Sequence, residues 1–310
     1  VKRNAIDAVF VVLVGVGWGL LAPATKALFA ADPAAFDGLS VAVARAAWAL
    51  PMFLVIFAVT FALERPRLAP RRWLAIAGAG ALFGFGISVV FSIAAQHTSV
   101  AHISFLIGTS PVTNSLAAAL AFRLPIGRRQ RIALALGVIG VTLLATAQNG
   151  GHAGLFGDSL MLIWLAAFAA YAVLLRCVGP SVSSTFTMSA VGVVAMASVL
   201  LVGLVHPAGL RGAAHVIDTP ASAWWFFGEI VGGSTLIAQT AYARSVRRLG
   251  VSIATIGAEY TALAVGITAS ILSREPWSIV TVIAGLILCT ALAVTFVPLP
   301  ARWVRAARVV

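Results

Sequence analysis

Apolar runs of membrane-spanning length alternate along this chain with short breaks that carry most of its charge. A helix that crosses about 30 Å of hydrocarbon needs about 17–25 mostly apolar residues. Such runs fall at 7–29, 38–62, 73–95, 98–122, 132–148, 159–175, 184–205, 223–243, 250–272 and 278–298. The pattern predicts an all-α membrane protein of ten transmembrane helices, with loops too short for a separate soluble domain. Lys2 and Arg3 precede the first run, and Ala22-Pro23-Ala24 looks like the cleavage site of a secretory leader. The stretch from Ala8 to Ala24 exceeds a leader's usual apolar core and has a counterpart later in the chain, so it is read as the first membrane helix.

The basic residues orient the ten spans. With both termini cytoplasmic, the breaks on that side hold all 21 lysines and arginines except Lys26, Arg45, Arg211 and Arg274. Cytoplasmic loops carry this excess because positive charge resists translocation. The expected location is the inner membrane.

Composition agrees with the pattern. The chain is 61% hydrophobic and 10% charged, against about 45–50% and about 25% in soluble domains. Its mean hydropathy is +1.04. The net charge of +12 does not point to nucleic acid, because the arginines sit between spans, where anionic lipid lies. Cys177 and Cys289 have no ligand-spaced His or Cys beside them, so neither a disulfide framework, a metal site nor a cofactor is expected.

Self-similarity links the two halves. A shift of about 150 positions sets Trp18-Gly19-Leu20-Leu21-Ala22 on Phe168-Ala169-Ala170-Tyr171-Ala172 and Lys26 on Arg176. A slightly longer shift sets Ser99-Val100-Ala101 on Gly250-Val251-Ser252 and Ser110-Pro111 on Thr261-Ala262. Five helices per copy is an odd number, so the second copy enters the membrane upside down. Residues 1–149 and 150–310 are therefore expected to form two inverted five-helix repeats.

These residues resemble the drug/metabolite transporter superfamily, in its ten-helix EamA-type branch. The resemblance covers nearly the whole chain. It rests on Trp18-Gly19 and Lys26 in span one, Arg45 in span two, Ser110-Pro111-Val112 in span four, and Gly137-Val138-Ile139-Gly140-Val141 in span five. Gly157-Asp158, Tyr171 to Arg176, and Glu259 to Glu275 carry it through the second half. Two departures stand out: Arg123-Leu124 replaces the family's frequent Gly-Glu after the fourth helix, and Ala262 takes the place of an expected proline in the ninth. The resemblance implies a transporter, mainly an exporter, of amino acids, other metabolites or drug-like compounds.

Charges near the bilayer centre cost at least about 2.5–3.5 kcal/mol on insertion scales, which makes each one a functional candidate. Glu259 lies near the middle of span nine and is either a substrate or proton-coupling group or a structural glutamate. Arg45, in span two, either holds an anionic group or pairs with a helix carbonyl, Glu229 or Glu259. Glu229 is a candidate gate contact, and His102 either titrates near neutral pH or serves as a satisfied interface residue. Asn114 and Gln239 read as interhelical glue. Trp18, Trp48 and Trp164, with Tyr171 and Tyr260, either line a cavity for apolar, aromatic or cationic solutes or simply pack.

The expected partners are a small-molecule substrate and the lipid bilayer, with proton coupling as an option. The chain contains no phosphate-cradling Gly-x-x-x-x-Gly-Lys-Ser/Thr loop, no His-Glu-x-x-His and no Gly-x-Ser-x-Gly, which argues against ATP drive and against an intramembrane enzyme. A channel would need a selectivity filter, and no repeated filter sequence is present. The reading is a secondary transporter that works by alternating access, with a facilitator or importer as the alternative.

Overall fold

A computed structural model describes residues 2–123, 126–147, 154–179, 181–206, 210, 212, 214–218, 221–249 and 251–296. The expected charges Arg211, Arg302, Arg305 and Arg308, and Trp303, lie outside them. The described residues form ten long helical rods, one at each apolar run: α1 Lys2–Ala31, α2 Gly38–Glu64, α3 Pro70–His97, α4 Val100–Ala121, α5 Arg128–Thr146, α6 Leu155–Val178, α7 Ser184–Val205, α8 221–249, α9 Val251–Leu272 and α10 Ile279–Phe296. The chain is all-α over these residues, and α1 to α7 are each long and apolar enough to cross a membrane. It is a multi-pass membrane protein. The described apolar parts of α9 and α10, Gly257–Leu272 and Ile279–Val294, are shorter than a full span, and α8 is broken into three helical pieces.

Helix ends follow from local chemistry. Asp37 and Ser40 cap α2 reciprocally, each side chain accepting from the other's backbone N–H at 2.7 Å. The helix stops at Arg65, whose φ of 43° lies in the left-handed region just before Pro66. Pro70 opens α3, where a missing N–H costs nothing. The first turn of α4 is doubly satisfied: Ser99 Oγ accepts from His102 N–H, and the Glu275 carboxylate accepts from Val100 N–H at 3.0 Å and Ala101 N–H at 3.2 Å.

Helix regularity breaks in three rods. In α3, Leu82–Val89 is π-helical, and in α8 so is Glu229–Ala238. Both stretches contain close glycines, Gly84 and Gly86 in one and Gly232 and Gly233 in the other, which tolerate the widened turn. The third break is at Gly108 and Thr109, which divide α4 into Val100–Ile107 and Ser110–Ala121 just before Pro111. At the aligned place in α9, Ala262 stands where a proline was expected, and that helix runs through unbroken.

Packing runs between the chain's two halves. α1 lies on α8 and α9, while α6 lies on α3 and α4; α2 packs on α7, and α5 on α10. Small residues set the closest crossings. A β-carbon on Gly15 would stand 2.6 Å from Ala258 O, one on Gly19 2.8 Å from Ala262 O, and one on Gly17 2.9 Å from Gly233 O. Without a hydrophobic force between helices in lipid, such close backbone approach supplies the packing that holds them.

Candidate functional site

A narrow cavity lies where α1, α2, α3, α4, α6 and α8 meet. Trp18, Arg45, Trp164, Phe168, Ser234 and Gln239 carry its chemistry, and Leu21, Ile87, Phe91 and Ile107 complete the wall. Its free space is about 30 Å³, roughly one water's share of liquid volume. Several wall positions pair across the two halves. Trp18 and Phe168 align in the sequence repeat and meet edge to face here, centroids 5.8 Å apart at 87°. Ile87 lies within the π-helical stretch of α3 and Ser234 within that of α8, while Phe91 and Gln239 lie just beyond those stretches.

Arg45 is 2% exposed. Its Nε donates to Thr235 Oγ1 at 2.6 Å, and that hydroxyl donates in turn to Ile230 O, five residues back along the π-helical stretch. Thr235 is its sole hydrogen-bond partner among the described residues, where no carboxylate comes within ion-pair distance of it. The two pairings anticipated from sequence, with Glu229 or Glu259, are not made. Among the described residues, three buried polar atoms of the wall have no hydrogen-bond partner: Trp164 Nε1, Ser234 Oγ and Gln239 Oε1. Trp164 stacks on Phe168, centroids 5.0 Å apart and rings 9° from parallel.

Other candidates lie off the cavity wall. Glu259 is fully buried at the break in α4, with its carboxylate beside Ser110. Glu229 begins the π-helical stretch of α8, with its carboxylate folded against Gly233. Tyr171 is buried against Phe83 and Phe168, its hydroxyl on Met188 Sδ at 3.6 Å. Trp48 packs edge-on against Trp224 and Phe227, and Tyr260 is exposed. Asn114 is buried with its amide unpartnered.

His102 belongs to a separate cluster where the ends of α3, α4 and α6 meet. Its Nδ1 lies 3.0 Å from Asp158 Oδ2, and Thr98 donates to Asp158 Oδ1 at 2.6 Å. Gly157 allows this approach, since a β-carbon there would stand 2.7 Å from His97 O. Thus the Gly157-Asp158 pair noted in the sequence serves to dock α6 under the α3–α4 junction. A further cleft of about 420 Å³ lies at the α1–α2 loop, with Asp32, Asp37, Ser40 and His215 on its walls. The hydrogen bond from His215 at 2.9 Å holds the Asp32 carboxyl below the usual carboxylate range. Among the described residues, no three His, Cys, Asp or Glu side chains are grouped to hold a metal ion.

Phe168, Ser234, Ile87 and Phe91 were not singled out from sequence. They come from stretches of three different helices that are mostly apolar, so no strong amphipathic stripe marks the inward face. The glycine pairs in α3 and α8 were the available signal.

Comparisons with known proteins agree with the fold. A solved structure titled "Crystal structure of protein" superposes with a TM-score of 0.55 at 17% identity, covering 94% of this chain and 96% of that one. No curated protein matches the chain. Within the sequence, residues 6–146 match the EamA-like transporter family.

Proposed function

We propose that the chain is a secondary transporter of small metabolites in the inner membrane, an exporter by alternating access, built of ten spans in two inverted repeats, 1–149 and 150–310. The observation that carries this reading is the exchange pattern of helix contacts around the cavity. Adding five to each helix of the first half and subtracting five from each of the second turns α1 on α8 and α9 into α6 on α3 and α4, and leaves α2 on α7 and α5 on α10 unchanged. That is what a pseudo-two-fold axis through the cavity requires. The π-helical stretches support it too, since each falls in the third helix of its half. The match of residues 6–146 to an EamA-like transporter family supplies the function class.

Glu259 is the proposed proton-coupling group. A fully buried carboxylate beside the break of a helix is a group whose charge state and surroundings change together. The test is flux in proteoliposomes of radiolabelled small metabolites, amino acids first, with and without an imposed pH gradient. Wild type is expected to show flux that the gradient accelerates, and Glu259→Gln to lose that acceleration. Flux that survives the substitution with its pH response intact would remove the proton role and leave a facilitator.

The orientation has its own test. Fused at the C-terminus, a fluorescent protein that folds only in the cytoplasm is expected to glow, and a periplasm-dependent phosphatase to stay inactive. The opposite result would overturn the cytoplasmic placement of the C-terminus.

A further inference from the structure

We infer that the central cavity binds an organic carboxylate with a flat apolar body, the carboxylate on Arg45 and the ring against Trp18, Trp164 and Phe168; this deepens the transport reading and rests on it. Burial strips a guanidinium of water, at a cost of several kcal/mol unless an anion or a full set of acceptors replaces it. At Arg45 only Nε is engaged, by Thr235, and Thr235 is itself fixed by its bond to Ile230 O. Anchored along that edge, the guanidinium keeps its terminal fork for the cavity it borders. A carboxylate matches such a fork with two parallel hydrogen bonds.

The rest of the wall favours the same charge. Among the ten lining residues there is no acid, so a cationic solute would meet Arg45 with nothing to offset it. Trp164 Nε1–H and the Ser234 hydroxyl are buried donors without partners, and both suit an acceptor-rich ligand. The Gln239 amide takes a further polar group. Trp18, Trp164 and Phe168 form an aromatic corner against which a ring stacks or meets an edge. In the structure these walls close to about 30 Å³, so they part to admit the solute.

Binding is measured on the full chain in detergent, where it does not depend on transport. The probe is radiolabelled indole-3-acetate, with benzoate, indole and tryptamine as competitors. Indole-3-acetate is expected to bind, with benzoate displacing it and tryptamine failing to. Arg45→Gln is expected to weaken binding roughly tenfold or more, and Arg45→Lys, which keeps the charge without the fork, to fall between. The competitor series on wild type decides the matter even if the variants fold poorly. Equal displacement by tryptamine, full affinity in folded Arg45→Gln, or no binding at millimolar indole-3-acetate would each overturn the inference. Flux of amines without carboxylate binding would sink this site assignment and leave transport standing. Carboxylate binding without flux of any solute would do the reverse.

Discussion

Replacing Gly15 and Gly19 together by alanine is expected to leave little folded protein, although alanine is the better helix former. Propensity alone favours each change by about 1 kcal/mol. Against that, the new β-carbons would stand 2.2 Å from Thr261 Cβ and 2.7 Å from Val265 Cβ, with the carbonyls of Ala258 and Ala262 at 2.6 and 2.8 Å. A side chain can turn away, but a helix carbonyl cannot, so α1 must lift off α9. Overpacking of this kind costs about 1–3 kcal/mol per site. The two sites lie on one face and are coupled, because one opening of the crossing has to relieve both clashes. Gly137→Ala in α5 is the matched control: nothing lies within 4 Å of its added carbon, and it is expected to be neutral or slightly stabilising. Thermal unfolding of the purified variants, followed by monodisperse elution in detergent, checks both. A double variant as stable as wild type would mean that α1 and α9 are not in this contact.

His102→Leu is expected to destabilise by about 2–3 kcal/mol, because it leaves Asp158 buried with Thr98 as its remaining side-chain partner. Asp158→Leu is expected to cost about as much, by removing the carboxylate that faces the His102 ring nitrogen. The double variant is expected to cost clearly less than the two singles added, with a coupling of about 1–3 kcal/mol, as for residues that act as one unit. Melting midpoints of the four proteins in one detergent give the cycle. Strict additivity would show that the two side chains are independent and that α6 is docked by Gly157 alone.

The hydrophobic pattern anticipated where the helices are but not how they bend. Each apolar run has its rod, because a segment in lipid has no other way to satisfy its backbone than to become helical. The ends were also readable, as Pro70, Asp37 and Ser99 are ordinary start signals. The π-helical stretches were not, since an inserted residue leaves hydrophobicity unchanged and only the paired glycines betray it. Of the site, Arg45, Trp18 and Trp164 could be suspected as deep charged or aromatic residues. Tyr171 and Trp48 had the same credentials and pack elsewhere. What separates the two sets is rotation about a helix axis, which an evenly apolar helix does not encode. Glu259 was visible as a charge out of place, but its neighbour Ser110 comes from a helix far away in sequence.

The two π-helical stretches give each half of the chain an adjustable phase. A widened turn holds one residue out of step with the α-helical ladder, and returning it to step rotates everything beyond by about 100° and slides it by about 1.5 Å. Gln239 directly follows its turn and Phe91 lies two residues past Val89, so a change of phase would swing them off the cavity while the far ends of α3 and α8 stay seated on α7 and α2. Two such turns, one in each half, amount to a pair of opposed ratchets. Their teeth are single residues, and advancing either one would re-seat the segment beyond it, Val90–His97 on α6 or Gln239–Leu249 on α1 and α9.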